Sequence, residues 1–151
     1  MSPISPGQPV PSFSLERDGD TPFTEADLAD RTTVLIFYPF AFSPVCSDQL
    51  SLYDSVREDF DARGAVLYGV SCDAKWSQRA FKEKLGVSIE QLSDFEPKGS
   101  VCRAFGVYHP GGFPQRALVI VGPDQRVTWS YQAESPGELP GANLIFDALS
   151  G

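Results

Sequence analysis

Three cysteines, Cys46, Cys72 and Cys102, and one histidine, His109, have the widest chemical reach of any side chains in this sequence. The cysteines stand 26 and 30 residues apart and form no C-x-x-C pair, a spacing that excludes a zinc ribbon and a thioredoxin-type dithiol. A multi-histidine metal site or a Cys-His dyad would have to be built around one imidazole. That ring lies in Tyr108-His109-Pro110-Gly111-Gly112, a turn-rich stretch that reads as a surface or loop-anchoring position. Neither a glycine loop ending in Gly-Lys-Ser/Thr nor a G-x-G-x-x-G occurs, which removes the two commonest phosphate-binding signatures. The opening MSPISPGQPVPSF has no basic cluster followed by an apolar run, so the expected compartment is the cytoplasm, where thiols stay free. The question is which sulfur the fold activates.

The elements around each sulfur answer part of it. Thr33 to Tyr38 is a β-branched and aromatic run without alternation, as expected of a central strand covered on both faces. From Cys46 to Arg63 the side chains Leu50, Tyr53, Val56 and Phe60 recur at three- and four-residue steps, predicting an amphipathic helix stopped by Gly64. A buried strand, Ala65 to Ser71, follows, and the three elements make a β-α-β crossover. Helices are predicted from Trp76 to Leu85, from Lys98 to Phe105 and near Leu139 to Leu149. Ala117 to Val121 and Arg126 to Tyr131 read as an antiparallel hairpin around Gly122-Pro123-Asp124-Gln125, and a shorter hairpin is expected around Asp18, Gly19 and Asp20. Residues 1–12 hold four prolines and read as an irregular arm. The fold class expected is α/β, a thioredoxin-like three-layer sandwich with a mixed central sheet and helices on both faces, in a single domain over residues 1–151. Twelve Lys plus Arg against twenty Asp plus Glu give a net charge of −8, which disfavours nucleic acid and anionic lipid, and the longest apolar stretch is far too short to cross a bilayer.

Cys46 is the thiol at a strand-to-helix junction, in the first turn of the predicted helix. Unpaired N–H groups and the positive end of the helix dipole favour an anion there. Such a setting, with a cation nearby, lowers a thiol pKa from about 8.5 into roughly the 3.5–7.5 range. Pro39, with no N–H and a fixed φ, can wall the pocket, and the Ser43 hydroxyl can reach the sulfur or an oxygen bound beside it. Taken alone, a cysteine at a helix start is more often a small buried hydrophobe than a nucleophile, and an arginine such as Arg116 more often a surface ion-pair partner.

The segment FYPFAFSPVC carries P-x-x-x-[S/T]-x-x-C as Pro39, Ser43 and Cys46, and it resembles the active-site loop of the peroxiredoxins. VSCDAKWSQRAFKEKLG, QLSDFEPKGSVCRAFGVY and PQRALVIVGPDQRV extend the resemblance over nearly the whole chain. Within the family it is most similar to the alkyl hydroperoxide reductase E branch, near the bacterioferritin-comigratory group. The resemblance implies a thiol peroxidase acting on hydrogen peroxide, organic hydroperoxides or peroxynitrite, with Cys46 as the peroxidatic nucleophile that becomes a sulfenic acid. It further implies that Arg116 pairs with thiolate and peroxide, that Pro39 shields the sulfur, that Ser43 bonds the peroxide, and that no metal or organic cofactor is needed. Two positions depart from the family pattern. Ser43 stands where threonine is more frequent, and Gln49 supports the arginine where a glutamate is common, so looser positioning of Arg116 and a slower enzyme are expected.

Cys72 and Cys102 are either packed thiols or resolving partners for the sulfenic acid. The position five residues after the nucleophile, where the bacterioferritin-comigratory group often places a resolver, is Ser51. The expected cycle is therefore one-Cys, reduced by an external low-molecular-weight thiol or a glutaredoxin- or thioredoxin-like protein. Trp76, Trp129 and Phe81 read as packing residues. Pro44 and the aromatics near the loop read as a subunit contact, giving a homodimer. A peroxide-sensing switch or binding module with little turnover is the alternative function.

Overall fold

A computed structural model describes residues 3–150. Strands β1 (Ser14–Arg17) and β2 (Phe23–Thr24) form the expected first hairpin, and a 3-10 turn, Glu25–Leu28, leads to β3 (Thr32–Phe37). Helices α1 (Pro44–Ser55) and α2 (Arg57–Ala62) then cross to β4 (Ala65–Ser71), and α3 (Lys75–Leu85) crosses to β5 (Glu90–Ser93). The chain continues through α4 (Ser100–Ala104), a ribbon of β6 (Tyr108–His109) and β7 (Phe113–Pro114), the hairpin β8 (Ala117–Val121) and β9 (Val127–Gln132), and α5 (Ala142–Ser150). The main sheet has seven strands in the order β2-β1-β5-β4-β3-β8-β9, parallel at β5-β4-β3 and antiparallel elsewhere.

Both faces of the sheet are covered, so the apolar run of β3 divides by alternation. Leu35 and Phe37 enter one core layer with Val70, Val119, Val101 and Phe105, while Val34, Ile36 and Tyr38 enter the other with Leu50, Tyr53, Phe60, Phe81, Leu118 and Ile145. Each layer is built from β-branched, aliphatic and aromatic side chains removed from water, the dominant favourable term in folding. Within β4, Gly69 stands opposite Gln91 of β5, and a Cβ there would lie 2.5 Å from the Gln91 amide oxygen. The missing side chain makes room for Gln91 to accept the Tyr38 hydroxyl at 2.6 Å across β4.

Several boundaries differ from the sequence reading. The helix predicted from Cys46 to Arg63 begins two residues earlier, because Pro44 occupies its first turn, where a missing N–H costs nothing. It also breaks at Val56 (φ −114°, ψ 22°) into α1 and α2. Strand β5 was not foreseen, since Glu90-Gln91-Leu92-Ser93 carries too little apolar pattern to announce a strand. Residues 3–12 have the irregular course expected, yet they are pinned: Ile4 donates to the Phe105 carbonyl at 2.9 Å and Gly7 to that of Val127 at 2.7 Å. Residues 1 and 2 of that arm lie outside the described residues.

Candidate active site

Strand register places the arginine. Phe37 of β3 pairs with Ala117 of β8, so Arg116 stands beside Tyr38, where the 39–43 loop leaves the sheet. Alternation then puts Arg116 on the face of Leu118 and Ile120, the layer that also holds Cys46. The loop is shaped by the buried Pro39, by Phe42 in the left-handed region at φ 70°, and by Ser43 in extended backbone as the helix N-cap. A non-glycine residue at positive φ stores strain of the kind found at functional sites. The Phe42 ring rests on Phe81 at 5.2 Å between centroids.

Cys46 is the third residue of α1, and the first bond up the helix is donated by Ser47 N to Ser43 O at 2.9 Å. The N–H groups of Val45 and Cys46 therefore precede the helical ladder and have no partner within the helix. The Ser43 hydroxyl makes no capping hydrogen bond; its carbonyl takes the Ser47 hydroxyl at 2.9 Å.

The guanidinium of Arg116 is 2% exposed and divides its donors three ways. Nη2 donates to Cys46 Sγ at 3.2 Å, Nη1 to Gln49 Oε1 at 2.5 Å, and Nε to the Pro136 carbonyl at 2.8 Å. A rigid planar fork suits three such partners in a way a lysine ammonium does not. A buried charge is costly unless compensated, and the two oxygen partners are neutral, so the sulfur is the only one of the three able to carry negative charge. Gln49 in turn donates from Nε2 to the Tyr53 hydroxyl at 3.2 Å, and Tyr53 donates to the Pro140 carbonyl at 2.7 Å. The structure thus brings Cys46, Gln49 and Arg116 into direct contact. Gln49 accepts from the arginine without bringing the charge a glutamate would.

Cys72 and Cys102 lie elsewhere. Both belong to the opposite core layer, with the sheet between them and Cys46. Their sulfurs and a carboxylate oxygen of Asp94 lie within 4.8 Å of one another, the one group among the described residues with metal-ligand chemistry. Asp94 is already engaged, accepting Val101 N at 3.2 Å and Cys102 N at 2.8 Å at the start of α4. Its neighbour Cys102 keeps its proton, because the hydrogen bond with Cys72, burial and the Asp94 charge all push that thiol up. The trio is a helix cap over a packed thiol pair. His109 stacks on Phe113 at 4.3 Å and accepts the Gly111 N–H at 2.8 Å, an anchor for its loop.

Sequence reasoning missed Tyr53, Asp73, Pro136 and Pro140. Tyr53 was readable as more than an apolar position, since Gln49 and Tyr53 are four residues apart on the helix face that carries Cys46. The two proline carbonyls carry no local signal.

Known proteins are similar to this chain over most of its length. The 1-Cys peroxiredoxin PER1 of Arabidopsis thaliana is 31% identical over 139 residues, 87% of this chain and 63% of that protein. The alkyl hydroperoxide reductase E of Mycobacterium bovis is 24% identical over 149 residues, 97% of each. The crystal structure of the peroxidoxin BcpB from Mycobacterium tuberculosis superposes with a TM-score of 0.81 at 27% identity, covering 97% of this chain and 95% of that one. The chain spans a little under two thirds of the length of the plant 1-Cys relatives it matches. The AhpC/TSA family model matches residues 6–130, most of the chain and all of the loop, helix and strand that assemble the site, so this protein belongs to the AhpC/TSA family, the peroxiredoxins.

Proposed function

We propose that the chain is a thiol-dependent peroxidase with Cys46 as nucleophile. The observation that carries this reading is the 3.2 Å contact between Arg116 Nη2 and Cys46 Sγ, made by a buried cation whose other partners are neutral. In the reaction the Cys46 thiolate attacks the terminal oxygen of a peroxide, an S–O bond forms and the O–O bond breaks. Sulfur is oxidised by two electrons to the sulfenic acid, and the departing alkoxide or hydroxide takes up a proton, or nitrite leaves where the oxidant is peroxynitrous acid. Arg116, the Cys46 N–H and the Ser43 hydroxyl supply donors where charge builds on the oxygens, and Pro39 shields the sulfur. Cys46 is 0% exposed, so an oxidant reaches the sulfur only when residues around it shift locally.

Hydrogen peroxide, organic hydroperoxides and peroxynitrite are the proposed substrates. With Cys72 and Cys102 across the sheet, the sulfenic acid is reduced from outside: one thiol condenses with it, releasing water, and a second releases the mixed disulfide. A low-molecular-weight thiol or a glutaredoxin- or thioredoxin-like protein fits that role. Three free cysteines suit a reducing, cytoplasmic setting. Phe40 and Phe42, half exposed at the loop, support self-association as a homodimer. No described helix is long and apolar enough to cross a membrane. The test is peroxide consumption by Cys46→Ser: complete loss supports the reading, and retention of the original rate ends it.

A further inference from the structure

We infer that Tyr53 is a positioning residue that dictates which end of the Gln49 amide faces Arg116, so that glutamine serves at this position only with a tyrosine hydroxyl behind it. The inference rests on the peroxidase reading above and adds a residue to it.

The argument is one of hydrogen-bond polarity. A carboxylate at position 49 would offer the arginine an oxygen whichever way it turned, whereas an amide offers an oxygen at one corner and two N–H donors at the other. Arg116 has donors alone, so a reversed Gln49 would set N–H against N–H and release the guanidinium. Nothing in glutamine itself prevents that reversal. Tyr53 does so from the far side. Its hydroxyl has one hydrogen, and the Pro140 carbonyl, which can only accept, takes it at 2.7 Å. Only lone pairs are left toward Gln49, which must present Nε2, at 3.2 Å, and therefore turn Oε1 to Arg116.

Donation accordingly runs in a fixed sense on both sides of Gln49: Tyr53 to Pro140, Gln49 to Tyr53, and Arg116 to Gln49 and to the Cys46 sulfur. Gln49 and Tyr53 are 0% exposed and Arg116 2%, which leaves little room for solvent to substitute for a lost partner. Burial also pushes the Tyr53 phenol up to about 12, against the opposing pull of the Gln49 hydrogen bond and the Arg116 charge, so the donor to Pro140 keeps its hydrogen at neutral pH. The carbonyls of Pro136 and Pro140 close the network from one segment, at Arg116 Nε and at Tyr53.

A double-mutant cycle tests this, read by the second-order rate of Cys46 oxidation with hydrogen peroxide and by nitrogen NMR of the Arg116 side chain. Tyr53→Phe lowers the rate about tenfold when residue 49 is glutamine, since misorientation of a group beside the reacting atoms carries a penalty of that order or more. It also averages Arg116 Nη signals that are distinct in the parent. With Gln49→Glu already present, Tyr53→Phe changes the rate less than about threefold, because a carboxylate needs no orienting. Both backgrounds lose the same Pro140 bond, so a purely structural Tyr53 lowers the rate equally in each, and that result overturns the inference. So does a Tyr53→Phe protein with parental rate and Arg116 signals. If the parent shows no oxidation by peroxide while the NMR pattern holds, the peroxidase reading fails and the positioning role stands.

Discussion

Asp73 Oδ2 accepts the backbone N–H of Ala41 at 2.8 Å, tying the end of β4 to the loop that delivers Cys46. The same oxygen takes the Ser71 hydroxyl at 2.8 Å, so the carboxylate is held from within its own strand end while it holds the loop. The relationship links the segments that leave the C-terminal ends of β3 and β4, two neighbouring central strands.

Removing it has a defined consequence. Asp73→Ala costs about 1.5–3 kcal/mol, the range for hydrogen bonds to a charged group, measured by urea unfolding. Asp73→Asn, whose amide oxygen can still take the Ala41 N–H, loses less. Equal losses in the two variants would show that the loop does not depend on this acceptor.

Arg116 donates to the sulfur, and its removal withdraws a preorganised donor from the developing charge. Arg116→Met lowers single-turnover oxidation of Cys46 by about 10²–10³-fold. Arg116→Lys recovers only part, because an ammonium cannot meet sulfur, amide oxygen and carbonyl together in one plane. Stopped-flow fluorescence with hydrogen peroxide reads both; a lysine variant at the parental rate would remove the fork geometry from the mechanism.

Because the sheet separates Cys72 and Cys102 from Cys46, neither is needed for the first oxidation. Cys72→Ser and Cys102→Ser each keep the parental single-turnover rate, and one equivalent of peroxide gives a sulfenic acid at Cys46 that a dimedone adduct marks by peptide mass spectrometry. A Cys46 disulfide to either residue, mapped in the same digest, would name an internal resolver and reverse the one-Cys cycle.

Stability falls in alkaline solution. The Cys102 thiol lies well above its ordinary value of 9.0, through the Cys72 hydrogen bond, burial and the Asp94 charge. Burial raises Tyr53 from 10.0 to about 12, and raises Tyr38 as well. In each case the folded chain keeps a proton that the unfolded chain sheds, so the contribution is whole below the unfolded pKa and is lost as pH rises toward the folded one. Unfolding free energy is expected to decline above about pH 8.5, first through Cys102 and beyond about pH 10 through the tyrosines. Denaturant midpoints at pH 8, 9.5 and 10.5 measure this. Cys102→Ala removes the earliest part of the slope; an unchanged slope would assign it to another group.

The elements nearest the nucleophile were legible because their signals are local. Thr33 to Tyr38 announces a strand covered on both faces, Leu50, Tyr53, Val56 and Phe60 announce helical turns with one apolar side, and Pro39, Ser43 and Cys46 lie within eight residues of one another. The proline that starts α1 and the break at Val56 shifted boundaries without moving the sulfur from the first turn. Strand β5 escaped because its buried residues include Gln91 and Ser93, polar side chains made tolerable inside by hydrogen bonds with the Tyr38 hydroxyl and the Ile89 and Asp73 carbonyls.

Residue order alone therefore determined which sulfur follows a central strand and the 39–43 loop into a helix, since backbone preference and hydrophobic period act over a few neighbours. Tertiary structure decided what that sulfur touches. Antiparallel pairing of β3 with β8 carries Arg116 across 70 positions to Cys46, and the turn before α5 sets the Pro136 and Pro140 carbonyls behind it. Cys72, just past the end of β4, and Cys102, on α4, pack in the far layer. Strand register and side-chain parity are properties of the closed sheet, and hydrogen-bond polarity through Gln49 exists only once that sheet has brought its partners together.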